Sequence, residues 1–410
     1  LMTPNPDILY FTLFPWDNAY SSVSLSFTRE FIKNNRVFYI NPPYSVKDFI
    51  ANWHTPEVVA RRSDLLKNKM RYETIPELPE VVAAQPPLTL PINWMPEGKA
   101  YRKLLRYNNR VVLNCIRQVV RDFKLEDFIY INCFNPYLAG VLPKDFGARL
   151  SIYQCIDDMR EEAYTARHGA RLEEEVIGQA DIVFVTSRNL LRLKKPLNPN
   201  THLLRNAADI SIFQQALEKK LPRPAELAGI TGKIIGFTGN LDPNRISYGL
   251  LRKVAEHHAD KTLVLVGPVN SNGVREYGLD RLPNVVFTGG KHISELPAFL
   301  QHFDVALIPF SINKLTSSIY PLKINEYLAA GKPVVSTDFS EDIRGFQKDI
   351  YLAKDEEDFT RLIPLAIAGD CPRLKAQRSA LARQNTWTAR VEEFWAVANR
   401  HLDASPPPSP

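Results

Sequence analysis

Lys323 and Glu326 stand three residues apart in Ser317-Ser318-Ile319-Tyr320-Pro321-Leu322-Lys323-Ile324-Asn325-Glu326-Tyr327-Leu328-Ala329-Ala330-Gly331. The segment reads as a helix that two serines can cap, with Pro321 at the first helical position and Gly331 beyond the last turn. Lys323 is out of place there, because a cation in the first turn opposes the helix dipole. An anion bound at the same end would remove the conflict, since a helix N-terminus with a lysine is a ready phosphate site. Glu326, one turn on, can hold two neighbouring ribose hydroxyls, so the parts together would grip a nucleotide diphosphate. The competing reading is an exposed Lys–Glu pair worth about 0.2–0.5 kcal/mol.

Such a site needs strands to present it. Short apolar runs alternate with helical stretches through most of the 410 residues, the pattern of α/β domains with parallel sheets. The first half predicts strands at Asp7–Phe14, Val37–Ile40, Phe128–Asn132, Arg149–Gln154, Asp181–Thr186 and Thr201–Leu204, and helices at Ala19–Asn34, Tyr101–Asp122 and Met159–Gly178. Residues 41–98 are proline-rich and read as irregular, with room for a hairpin. A charged segment, Glu218–Gly232, opens a second series with strands at Lys233–Thr238, Thr262–Val266, Val285–Thr288, Val305–Pro309, Pro333–Ser336 and Ile350–Leu352.

Ligands of such sheets bind beyond the carboxyl ends of strands. In the second half these ends carry Gly236-Phe237-Thr238-Gly239-Asn240, Gly267-Pro268 and Gly289-Gly290-Lys291-His292. Glycine there either admits a phosphate or simply makes a turn. Arg245 would reach a diphosphate, and Lys291 would lie near phosphate with His292 beside it. In the first half, Trp16-Asp17, Asn135 and the pair Asp157-Asp158 occupy equivalent places. The adjacent carboxylates suit a general base, or else cap the helix that follows.

A net charge of +6 and an isoelectric point near 9.0 favour anionic partners, without the dense basic clusters of a dedicated nucleic-acid binder. The helix Tyr101–Asp122 mixes Lys103, Arg106, Arg110, Arg117 and Arg121 with apolar residues. It is either an ordinary amphipathic surface helix or one that lies on an anionic membrane. No apolar run approaches the ~18 residues of a membrane span, and the early apolar strand argues against a secretory leader. Cys115, Cys133, Cys155 and Cys371 lack metal or redox spacing, so reduced thiols in the cytosol are expected.

The second half resembles the GT-B glycosyltransferases, specifically the group 1 (family 4-like) enzymes that use nucleotide sugars. The likeness is strongest over Ile234–Thr337, through Gly-Phe-Thr-Gly-Asn, Asp304-Val305-Ala306-Leu307-Ile308-Pro309 and the helix running from Glu326 into Gly331-Lys332-Pro333-Val334-Val335. The first half resembles the group through Trp16-Asp17, Ile156-Asp157-Asp158, Thr186-Ser187 and Asn206-x-x-Asp209.

The resemblance implies two Rossmann-like domains facing across a cleft. These would be an acceptor domain at 1–210, a nucleotide-sugar domain at 211–385, a helix at 386–402 crossing back to the first, and a disordered tail at 403–410. It implies that Glu326 binds the ribose and that Tyr320, Leu322 and Lys323 hold the diphosphate. Gly239, Asn240, Arg245, Lys291, His292 and Ser318 complete the donor set, with Trp16, Asp17 and Asn135 on the acceptor side. Ser318 stands where many of these enzymes carry a second glutamate, Asn240 where they carry an arginine, and Ile246 where they carry a lysine. Lys323 and Arg245 would then supply the cations.

The expected protein is a metal-independent, cofactor-free glycosyltransferase of the cytoplasm, peripheral at the inner face of the membrane. It would move a sugar from a UDP- or GDP-type donor to a hydroxyl of a glycan or lipid-linked acceptor in bacterial surface polysaccharide synthesis. Asp157 or Asp158 would serve as base, with no nucleic-acid partner. The alternatives are a non-catalytic GT-B subunit that binds nucleotide sugar or glycan and, against an incomplete glycine fingerprint, a nicotinamide-dependent oxidoreductase.

Overall fold

The computed structural model describes residues 5–17, 22–161 and 163–404. The chain divides into two compact units. One comprises Leu1–Thr186, Leu190–Leu204 and Val391–Pro410, and the other Ser187–Asn189 and Arg205–Arg390.

The first unit holds a sheet of β1 (Asp7–Thr12), β2 (Val37–Ile40), β3 (Arg71–Ile75), β4 (Leu78–Gln85), β5 (Phe128–Cys133), β6 (Leu150–Cys155), β7 (Ile182–Val185) and β8 (Thr201–Leu203). Its order is β3-β4-β2-β1-β5-β6-β7-β8, parallel except for the β3–β4 hairpin. β1, β2, β5 and β6 are almost wholly buried apolar runs, as strands covered on both faces must be. The order reverses between β1 and β5, so their carboxyl ends flank a natural crevice.

Residues 41–98 are more regular than their prolines suggest. Helices Val46–Ala51 and Pro56–Leu66 are capped by Ser45 and Thr55, and the hairpin follows. The prolines fall at the first turn of Pro56–Leu66, in loops and, for Pro79, at the second position of β4, where they cost little. Of the helix expected at Ala19–Asn34, residues 19–21 lie outside the described residues; the helix observed is Val23–Phe31, capped by Ser22. The helix expected at Met159–Gly178 is two helices, Ala163–Ala166 and Gly169–Gln179.

The second unit holds β9 (Ile234–Thr238), β10 (Thr262–Val266), β11 (Val285–Gly289), β12 (Val305–Ile308), β13 (Val334–Thr337) and β14 (Tyr351–Ala353). These form an all-parallel sheet in the order β11-β10-β9-β12-β13-β14. This is the doubly wound arrangement, and its order reverses between β9 and β12.

The last helix, Trp387–Ala404, begins in the second unit and from Val391 belongs to the first. There Phe394 packs against Phe31 and Phe184, with ring centroids 5.1 and 5.0 Å apart. The helix runs two residues past the expected end at 402; residues 405–410 lie outside the described residues.

Candidate functional site

In the second unit, the helix Leu322–Ala329 follows β12 beside the point where strand order reverses. The helix starts differently from the sequence expectation. Pro321 occupies the N-cap position rather than the first helical one, and no side chain caps the first turn. Ser318 instead closes the preceding short helix, Lys314–Ser317. Its hydroxyl is fully buried and accepts a 2.9 Å bond from the Asn189 side-chain amide. The positive pole of Leu322–Ala329 therefore keeps backbone donors that no side chain of the described residues caps.

Lys323, in that first turn, donates to Glu326 at 2.9 Å. Glu326 is only 4% exposed, whereas the lysine side chain is 25% exposed. Behind them, the Tyr327 hydroxyl accepts from the Thr238 amide at 2.9 Å and donates to its carbonyl at 3.3 Å. Burial pushes the Tyr327 hydroxyl pKa well up, so it stays a neutral bridge between helix and β9. Tyr320 is also buried, its hydroxyl meets Asn325, and its pKa is raised by burial. Leu322 packs against the core. Tyr320 and Leu322 thus present backbone, not polar side chains, at this end.

Glycines clear the ends of the neighbouring strands. A Cβ on Gly267 would sit 1.8 Å from the Gly239 carbonyl oxygen. One on Gly239 would sit 3.3 Å from the Lys323 Cε atom. The Gly239 amide donates to Val266 at 2.8 Å, and Gly267 bridges to Gly289. The ends of β9, β10 and β11 thus meet through glycine backbone, and Gly239 at the end of β9 lies beside Lys323. Gly236 has a different purpose: a side chain there would strike the Phe303 ring at 2.1 Å, so this glycine serves packing.

The other donor-side residues have partners of their own. Asn240 lies 3.5 Å from Asn270. Arg245 pairs with Asp242 at 3.6 Å within its own loop. Lys291 is drawn to Glu226 and lies over the Phe299 ring. His292 caps a short 3-10 turn through Ser294 and Glu295.

In the first unit, Trp16 and Asp17 follow β1 and Asn135 follows β5, on the two strands where that sheet's order reverses. Trp16 donates from its indole to Glu73 at 3.2 Å, and Asp17 meets Arg61 at 2.6 Å. Arg61 is 2% exposed and also binds both oxygens of Glu73 and the Tyr44 hydroxyl. Sequence reading missed this hub, because its members are spread over residues 16–73 with no common motif. Asn135 is buried, with its side-chain amide 3.4 Å from the Thr12 carbonyl.

Asp158 is held by Arg160 through bonds of 2.9 and 2.8 Å to its two oxygens. Burial works against its charge, but the Arg160 guanidinium and amide outweigh that and hold the carboxyl below its ordinary range. A carboxylate so stabilised is a poor proton acceptor. Asp157 is partly exposed.

Asp342 was also not singled out from sequence. It accepts the Arg188 amide at 2.8 Å and the Arg205 guanidinium at 3.3 Å. Its only sequence signal is a position in the first turn after Ser340, which suits any acidic cap.

Residues 232–368 match the family model described as "Glycosyl transferases group 1". That segment, about a third of the chain, is similar to group 1 glycosyltransferase domains. The chain is 32% identical over 170 residues to "Putative teichuronic acid biosynthesis glycosyltransferase TuaH" of Bacillus subtilis (strain 168). The match covers 40% of the chain and 42% of that relative, so the chain spans less than half the length of the curated relative it matches.

Solved structures cover nearly all of the chain. Sucrose-phosphate synthase from Thermosynechococcus elongatus superposes with a TM-score of 0.66 at 14% identity, over 97% of this chain and 100% of that one. The α,α-trehalose 6-phosphate synthase of Burkholderia multivorans gives 0.68 at 9% identity, over 97% and 99%. Anabaena Alr3699/HepE in complex with UDP gives 0.63 at 12% identity, over 96% and 100%. At these identities the likeness concerns the fold, and the fold is GT-B.

Proposed function

We propose that this protein transfers a sugar from a nucleoside diphosphate donor to a hydroxyl acceptor. One observation carries the reading: the uncapped first turn of Leu322–Ala329, with Lys323 and Glu326, has its lysine against Gly239 at the end of β9. Lys323 and Glu326 neutralise each other as they stand. A diphosphate at the helix pole draws Lys323 away, and the freed carboxylate accepts from the two ribose hydroxyls. That a structural neighbour holds UDP supports this class of donor.

In the reaction the acceptor oxygen bonds to the anomeric carbon while the bond from that carbon to the diphosphate breaks. The electron pair moves onto the diphosphate oxygen, where amides and Lys323 stabilise it. The acceptor proton goes to Asp157 if configuration inverts, or to the departing diphosphate if it is retained. No metal-ligating cluster occurs among the described residues, and the helix pole with Lys323 supplies the positive charge in our reading.

We assign the acceptor to a growing bacterial surface glycan or its lipid-linked precursor, and the site of action to the inner face of the membrane. The teichuronic acid relative supports this choice. No helix among the described residues is long and apolar enough to cross a membrane.

The test is thermal denaturation with UDP, GDP, ADP and their sugar conjugates, because a ligand of the native state raises Tm with saturation. A shift with one nucleoside diphosphate, lost in Glu326→Ala and Lys323→Ala, supports the reading; no shift with any overturns it. The locked state of Asp158 and the buried Ser318 favour one alternative, a binding subunit without catalysis. Binding of labelled sugar nucleotides with neither hydrolysis nor transfer would select it.

A further inference from the structure

The helix Lys99–Asp122 is 24 residues long, about 36 Å, and one of its faces carries almost pure positive charge. Its buried side is Tyr101, Asn108, Val112, Cys115, Ile116 and Val119. At 100° per residue, Lys99, Lys103, Arg106, Arg110, Arg117 and Arg121 fall within a narrow stripe on the opposite side, and all six are exposed. The helix contains a single acid, Asp122, at its last position. Arg117 pairs with Asp145, whereas Lys99, Lys103, Arg106 and Arg110 make no ion pair among the described residues.

This arrangement works against the helix itself. Lys99–Lys103, Arg106–Arg110 and Arg117–Arg121 are like charges four apart, each destabilising by a few tenths of a kcal/mol. An ordinary solvated face would alternate signs. An anionic partner converts the repulsion into attraction.

Apolar groups accompany the charge. Tyr107, on the edge of the stripe, is 46% exposed, and Trp94, five residues before the helix, is 69% exposed. Asn108 binds the Leu90 amide and carbonyl, which fixes the segment bearing Trp94 against the helix. Leu88, just upstream, packs on helices Val46–Ala51 and Pro56–Leu66, where Ile50 and Leu66 are also exposed. Lysine and arginine beside exposed tryptophan and tyrosine are the chemistry of a lipid headgroup boundary.

We infer that the exposed face of Lys99–Asp122, with Tyr107 and Trp94, docks on a bilayer containing anionic lipid. The inference deepens the proposed function and rests on it for the choice of a bilayer over other polyanions, since a lipid-linked acceptor is met at such a surface.

Vesicle co-sedimentation of the full chain tests it. The probes are vesicles of phosphatidylcholine alone and of phosphatidylcholine with phosphatidylglycerol. The variants are the triple Lys103→Gln/Arg106→Gln/Arg110→Gln and the single Trp94→Ala. The parent is expected to bind the acidic vesicles, to release at high salt and to ignore the neutral ones. The triple variant should partition about a hundredfold more weakly and Trp94→Ala several-fold more weakly. Failure of the parent to bind acidic vesicles, equal binding by the triple variant, or tighter binding to heparin or duplex DNA than to vesicles overturns the inference. A nucleotide-induced Tm shift, measured on parent and triple variant together, keeps the two readings apart. Vesicle binding lost with the shift intact assigns the helix face, and a parent that binds vesicles but shows no shift sinks only the donor site.

Discussion

Lys323 lies against Gly239: the position a Gly239 Cβ would take is 3.3 Å from the lysine Cε atom. The lysine stem therefore runs along the bare end of β9 and delivers its ammonium to Glu326. Removing either charged group should weaken nucleoside diphosphate binding by roughly tenfold or more, the worth of one charge-assisted bond. The effects on stability should differ. Lys323→Ala leaves a nearly buried carboxylate unpaired and should cost about 1–3 kcal/mol, while Lys323→Ala/Glu326→Ala should recover part of that loss. Calorimetric titration with UDP and GDP, alongside urea unfolding of the three variants, measures both. Unchanged affinity in both single variants would remove the pair from the site.

Gly267→Ala should be among the most damaging small changes in the second unit. Its methyl would overlap the Gly239 carbonyl oxygen, which is backbone and cannot swing aside. A loss of at least about 2 kcal/mol is expected, against a smaller one for Gly290→Ala, where the nearest atom is 3.9 Å away. Equal urea midpoints for the two variants would show that the strand ends are not closely apposed.

The two carboxylates after β6 should separate by assay. Asp157→Asn should depress transfer with little change in Tm if the reaction inverts. Asp158→Asn should instead lower stability by about 1–3 kcal/mol at neutral pH, because it discharges the partner of Arg160. The folded carboxyl of Asp158 lies below its ordinary 3.8, so the native state favours the ionised form. Its contribution is fully present above that value and is lost as pH falls through the lower folded one. The stability gap between parent and Asp158→Asn should therefore be constant from neutral pH down to about 4 and close below that. A gap that widens on acidification would contradict the assignment.

Lys332 provides a test on the alkaline side. Its ammonium is buried, donates to the Gln301 and Phe303 carbonyls at 3.0 and 2.9 Å, and has its pKa pushed down to about 8 from 10.5, chiefly by burial. Between these values the unfolded chain binds more protons than the folded one, so stability rises with pH. The cost is full below about 8 and is relieved as pH approaches 10.5. Relative to Lys332→Met, the parent should gain about 3 kcal/mol across that window. A flat difference between the two chains would mean the carbonyls compensate the burial completely.

The parallel strands were readable because covered strands are near-continuous apolar runs: Val37–Ile40 and Thr262–Val266 lie where the sequence puts them. The start of Leu322–Ala329 was misread for a local reason. Ser317 and Ser318 suit a cap, but the preceding residues had already formed a turn of helix that absorbs them, leaving Pro321 at the boundary. Residues 41–98 were misread because proline frequency was taken as irregularity, although proline in a first turn is compatible with helix. The Lys323–Glu326 pair was visible as spacing within one helix. The Arg61 hub was not, since Asp17 comes from the turn after β1, Arg61 from the helix Pro56–Leu66 and Glu73 from β3. Pairwise commitments such as Lys291 to Glu226 depend on rotamers and on neighbours 65 residues away, which no local pattern encodes.

The closing helix makes the order of synthesis matter. Phe31 and Phe184 leave the ribosome long before Phe394, the ring that packs against both. The unit made first is thus completed last, after the whole of Arg205–Arg390 has emerged as an uninterrupted segment ahead of its third portion. That segment has its near-terminal residues joined, Ala208 to Asn385 at 3.4 Å, and expressed by itself it would lack only Ser187–Asn189 of the second unit. The first unit would need a new peptide link from Leu204 to Val391 before it could stand alone.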